Sequence, residues 1–206
     1  SDLPEMMGEG GRLLVNTSDV YYTGYSLGGN RGPSLLGLSP DVNRGALWVG
    51  GAAFSHQIER CTQDDQFDDL MESVIGYPSQ LDRAVVISLI QSLWDATDTN
   101  TWTTLSEGWG DRVQPFEMIY IGSIGDLQIS NISTSRALRN ADASILSSSS
   151  IHPYGLPITE GGEGTTGNVG VYFDGGFSHA PEQNLLGQEP HPAHNWVAGV
   201  DAAHRM

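Results

Sequence analysis

Apolar positions along this chain fall into two rhythms. Short continuous runs rich in β-branched and aromatic residues mark buried strands at 19–23, 44–49, 116–121 and 169–173. Between them the period lengthens. Phe67, Leu70, Met71, Val74 and Ile75 recur at i, i+3, i+4, i+7 and i+8, which predicts an amphipathic helix over 64–75. A second helix runs from Ser79, a suitable N-cap, to about Asp95, with Leu81, Val85, Ile87, Leu89, Ile90 and Leu93 facing inward. A short helix is expected over 129–139. Another is expected over 28–38, where Gly32, Gly37 and above all Pro33 should kink or shorten it. Residues 1–18 read as a loop or short helix, 96–114 and 141–168 as loops, and 174–206 as a His- and Pro-rich tail.

Strands alternating with helices imply βαβ units and a mainly parallel sheet with flanking helices, an α/β fold. The four strands are expected to pair in chain order through right-handed crossovers. The first would then be an edge unless another segment or another chain covers it. The 206 residues read as a single domain, partial or minimal, in which 52–114 is a helical insertion and a candidate lid.

Charge narrows the partners. There are 25 acidic residues against nine basic ones, all Arg, for a net charge of −16. That argues against nucleic acid and against anionic membrane surfaces. No apolar run approaches the roughly 18 residues of a membrane span, so no stable membrane insertion is expected. No leader segment is visible either, and the composition fits a secreted or extracellular protein. Asp64, Asp65, Asp68, Asp69 and Glu72 lack the loop glycine of Ca²⁺ motifs and read as a solvated helix face. The lone Cys61 reads as structural.

The chemistry centres on Gly24-Tyr25-Ser26-Leu27-Gly28-Gly29. A G-x-S-x-G that follows a strand and opens a helix is the setting of a nucleophile elbow, in which the turn exposes the Ser hydroxyl. A triad built on it runs Ser, then Asp or Glu, then His. Asp126 follows the third expected strand in Gly125-Asp126-Leu127-Gln128 and is the preferred acid, with Asp174 and Asp111 as rivals. His179, His191, His194 and His204 all lie after the last expected strand. His191 is preferred, because Pro190 and Pro192 stiffen its loop. Three of these histidines also raise zinc, but without Cys or an H-x-x-x-H helix no metal site is assigned. Gly176-Phe177-Ser178-His179-Ala180 imitates an elbow but has no helix behind it, and reads as a loop.

Ser26, Asp126 and His191 would support acyl transfer without a cofactor, with the Leu27 amide as one oxyanion donor. The second donor normally follows an earlier strand. Amides near Gly8–Gly11 or another chain would have to supply it. A small-molecule or lipid ester is the expected substrate, and a serine peptidase would use the same triad. The alternative is a hydrolase-derived binding or structural subunit, a homo-oligomer or a chain needing a second polypeptide to complete its sheet.

From about Asp19 to His194 the chain resembles a branch of bacterial secreted α/β-hydrolases, described as lipase- or esterase-like. The resemblance is carried by the elbow, by Leu38-Ser39-Pro40-Asp41, by Val49-Gly50-Gly51, by Leu81-Asp82-Arg83, and by Gln91-Ser92-Leu93-Trp94-Asp95. Gly125-Asp126-Leu127-Gln128-Ile129 with Asn131 looks like the family's acid loop, and Glu189-Pro190-His191 like its His loop. The resemblance implies Ser26, Asp126 and His191 as a triad in an α/β-hydrolase-like fold that lacks the N-terminal strands.

Overall fold

A computed structural model describes residues 8–11, 18–58, 60–62, 69, 73, 76, 79–162, 164–178, 192–201 and 203. The strands are β1 (Tyr22–Tyr25), β2 (Arg44–Trp48), β3 (Glu117–Ser123), β4 (Ser144–Leu146), β5 (Ile158–Thr159) and β6 (Val169–Phe173). The helices are α1 (Leu27–Leu38), α2 (Phe54–Ile58), α3 (Gln80–Trp94), α4 (Thr99–Thr103), α5 (Asn131–Asn140) and α6 (Ala193–Trp196). Every strand pair is parallel, and the sheet order is β1-β2-β3-β6-β4-β5. The four strands expected from sequence are neighbours in chain order. The stretch 141–168, read as irregular, adds β4 and β5 beyond β6.

Burial follows position in the sheet. β3 and β6 are almost continuously buried, because apolar clusters cover both of their faces. One cluster joins Leu36, Leu47, Tyr120, Leu138 and Ile145; the other joins Val49, Ile121, Val171 and Val197. Burial pushes the Tyr120 hydroxyl far above its ordinary range. At the opposite end of the strands Glu117 accepts from Arg44 Nε at 2.8 Å and from the Gly167 amide at 2.9 Å. Burial works to raise its carboxyl, but these two donors together outweigh that and hold it below the usual range.

α1 runs 12 residues with Pro33 inside it, so the proline does not break it. The residue before it is Gly32, which has no Cβ to meet the proline ring. The helix also presents Gly29, Gly32 and Gly37 inward, and close packing on β1 and β2 compensates for weak propensity.

α3 departs from its expected orientation. Ile87 is buried beside Ile58, Phe54, Val86 and Trp94, whereas Leu81, Val85, Leu89 and Leu93 face solvent. The helix carries two apolar rows, and α2 covers the row that includes Ile87. The loop 96–114 contains α4, capped by Asp98, whose side chain accepts from Asn100 N at 2.6 Å. The same buried carboxylate accepts from Ala53 N at 3.0 Å, Phe54 N at 2.7 Å and Gln91 Nε2 at 3.0 Å. It therefore ties the loop after β2 to α3 and α4. Asp98→Ala leaves these donors unpaired, and urea unfolding should show a loss of roughly 2–4 kcal/mol.

The expected helix 64–75 lies almost wholly outside the described residues, as do Asp64, Asp65, Asp68 and Glu72. Cys61 is half-buried, with its amide bonded to Ile58 O. Among the described residues no helix is long and apolar enough to cross a membrane.

Candidate active site

Ser26 stands between the last residue of β1 and the first of α1, at φ 54° and ψ −113°. A side-chain-bearing residue rarely adopts that conformation, and holding it costs on the order of 1–3 kcal/mol. Two backbone bonds hold it: Ser26 N donates to Trp48 O at 2.9 Å, and Asn30 N donates to Ser26 O at 2.9 Å. The flanking glycines let the strand and helix close on each other. A Cβ on Gly24 would lie 2.4 Å from Gly28 O, and one on Gly29 would lie 2.6 Å from Trp48 O. Only glycine fits at either place. Tyr22 Oη completes the turn by donating to Gly28 O at 2.9 Å.

The acid loop follows β3. Gly125 takes φ 81°, and its open side packs against Ser178 O, where a Cβ would sit at 2.4 Å. Asn131 braces the turn, accepting from Gly125 N at 3.0 Å and donating to Ser123 O at 2.7 Å. The turn presents Asp126, 1% exposed. Its Oδ1 accepts from Gln128 N at 2.8 Å and Ile129 N at 3.0 Å, which leaves Oδ2 to face the site.

Oδ2 meets His194 Nδ1 at 2.8 Å, and His194 Nε2 meets Ser26 Oγ at 2.9 Å. An ionised carboxylate only accepts, so Nδ1 carries the proton and Nε2 is free to accept from the Ser26 hydroxyl. The hydrogen-bonded line therefore runs through His194 and not through His191, the histidine expected from sequence. His191 lies outside the described residues, as do His179 and His204. Both ring nitrogens of His194 are engaged, Nδ1 by Asp126 and Nε2 by Ser26.

No protein-family model matches the chain, and no curated protein matches it. Solved structures give distant likenesses. An acylaminoacyl peptidase from Pyrococcus horikoshii is similar over 78% of this chain at 11% identity, with a TM-score of 0.44. An acylaminoacyl peptidase in complex with Z-Gly-Gly-Phe-chloromethyl ketone is similar over 78% at 10% identity, with a TM-score of 0.42. The chain spans about a fifth of the length of these solved chains, covering 20% of each.

The rival acids stand elsewhere. Asp174 caps its own turn, accepting from Gly176 N at 2.7 Å, and Asp111 is exposed in the turn between Trp109 and Val113. Residues 174–178 form a loop whose Phe177 ring packs edge-on against Trp196 at 5.6 Å. Leu27 opens α1, so its amide is among the first N–H groups of the helix, which have no partner within it. Its side chain is exposed. At Gly8–Gly11, the Gly11 amide is bonded to Gly8 O. Among the described residues no group of three or more His, Cys, Asp or Glu is placed to hold a metal.

Proposed function

We propose that the chain is a serine ester hydrolase of the α/β-hydrolase kind, acting through Ser26, His194 and Asp126. One observation carries this reading: an unbroken line from Asp126 Oδ2 through His194 to the hydroxyl of a strained turn residue. Ser26 Oγ attacks the ester carbonyl while His194 Nε2 takes its proton; Asp126 holds the tautomer and stabilises the imidazolium. The proton then passes to the departing alkoxide as the C–O bond breaks, leaving an acyl-enzyme. Water repeats the sequence and releases the acid. The Leu27 amide, at the positive end of α1, would donate to the carbonyl oxygen as charge develops on it.

A small-molecule or lipid ester fits this reading, and secretion fits the acidic composition. The helical segment 52–114 enters it as a candidate cover, since Leu81, Val85, Leu89 and Leu93 give α3 an exposed apolar row suited to acyl chains. A second reading, a subunit completed by another chain, draws on β1. That strand pairs only with β2 among the described residues, and the neighbouring strand would bring the second oxyanion donor.

The test combines turnover with covalent capture. The purified chain is expected to hydrolyse p-nitrophenyl butyrate and to lose this on treatment with diisopropyl fluorophosphate, whose phosphoryl group peptide mapping should place on Ser26. Neither turnover nor adduct, alone or with a second copy at high concentration, would overturn the ester-hydrolase reading.

A further inference from the structure

Tyr25, inside the elbow motif, makes contacts that the acyl-transfer scheme does not use. Its hydroxyl lies 2.5 Å from His194 O and 2.8 Å from Asn195 Oδ1. Its ring meets the His194 imidazole edge-on, with centroids 5.4 Å apart. We infer that Tyr25 is a positioning residue, a clamp from the nucleophile strand that sets where the His194 imidazole stands relative to Ser26. This inference rests on the ester-hydrolase reading for its consequence in catalysis, but its geometry stands by itself.

The need for a clamp follows from the element that carries His194. α6 is four residues long, too short to be stable from its own backbone bonds. Ala193 and Val197 are buried beneath it, and Trp196 packs on Phe177. These contacts hold α6 against the sheet but do not gauge its distance from Ser26. Tyr25 does, because it is covalently joined to Ser26 and its hydroxyl grips the carbonyl of His194 itself. Nucleophile and base are thereby referenced to one rigid strand end.

The hydrogen-bond inventory supports a two-sided grip. A phenol has one proton, so it donates to one oxygen only. With its hydrogen on the His194 carbonyl, the Asn195 amide needs only to be turned over for its NH₂ to donate to the phenol oxygen, and the two ends of an amide are assigned from such networks. Burial, and then the Asp126 charge, raise the Tyr25 hydroxyl above its ordinary range, so it stays a donor into alkaline solution.

Tyr25→Phe tests the clamp, since it keeps the ring contact and deletes only the grip. Two readouts separate it from the function. The first needs no turnover: the His194 Nδ1–H resonance, read by proton NMR, should exchange with solvent faster in Tyr25→Phe than in the parent. The second is kinetic: kcat on p-nitrophenyl butyrate should fall roughly 10- to 100-fold with KM within about two-fold, as expected when a base is misplaced by a fraction of an ångström. Asn195→Ala should shift both in the same direction by less, and it serves if Tyr25→Phe does not fold. Unchanged exchange in both variants overturns the clamp whatever the activity. A parent chain that shows neither turnover nor a fluorophosphate label overturns the ester-hydrolase reading, and the resonance still decides the clamp.

Discussion

His194→Ala should lower turnover of p-nitrophenyl butyrate by at least about 10³-fold, while His191→Ala leaves it within about two-fold. The asymmetry follows from the imidazole's two nitrogens. Nδ1 is engaged by Asp126 at 2.8 Å and Nε2 by Ser26 at 2.9 Å, so no position on this line is open to a second histidine. Removing His194 leaves the Ser26 hydroxyl without an acceptor for its proton and Asp126 without the donor it faces. Steady-state kinetics of both variants, with circular dichroism as a check on folding, decide the matter. A collapse in His191→Ala with His194→Ala near the parent would reverse the assignment.

The hydrogen-bonded line passes through His194, whereas the sequence favours His191, which lies outside the described residues. Chain order requires only that the base follow β6, and four histidines satisfy that. The prolines around His191 suggest a stiff loop, but stiffness says nothing about reach. A better signal was present. Ala193, Trp196 and Val197 recur at i, i+3 and i+4, the spacing of a helix laid on the sheet, with Pro192 at its start. Ala193 and Val197 are buried, and a histidine inside that turn is carried to the sheet with them. Tyr25 was hidden for a different reason. Its partner lies 169 residues further along the chain, and no local pattern encodes such a contact.

The fold was legible in proportion to element length. The continuous apolar runs that became β2, β3 and β6 lie within a few residues of their expected bounds. β4 and β5 have three and two residues, too few for either period to register, and they exist because an unsatisfied sheet edge beyond β6 recruits them. α1 reads as a poor helix residue by residue, yet the same glycines that lower its propensity allow its approach to β1 and β2. The burial of α3 could not be read from period alone. A helix with two apolar rows leaves the choice of inner row to its neighbours.

Ser26→Gly should abolish turnover and at the same time yield a chain more stable than Ser26→Ala by about 1 kcal/mol. Both substitutions delete the hydroxyl, and both cost the bond to His194, so that loss cancels between them. They differ in the backbone. At φ 54° and ψ −113° an alanine Cβ keeps the strain that serine bears, whereas glycine occupies this region freely. Relief of roughly 1–3 kcal/mol is offset in part by the roughly 0.5–1 kcal/mol that glycine loses on leaving a more flexible unfolded chain. Urea unfolding of the two variants measures the difference directly. A midpoint for Ser26→Gly below that of Ser26→Ala, by the roughly 0.5–1 kcal/mol of glycine's unfolded-state freedom, would mean that the turn is unstrained, and the nucleophile would then be exposed by the glycines around it alone. A higher midpoint for Ser26→Gly would show that stability is given up at this one residue to aim a hydroxyl, which a purely structural turn would have no reason to do.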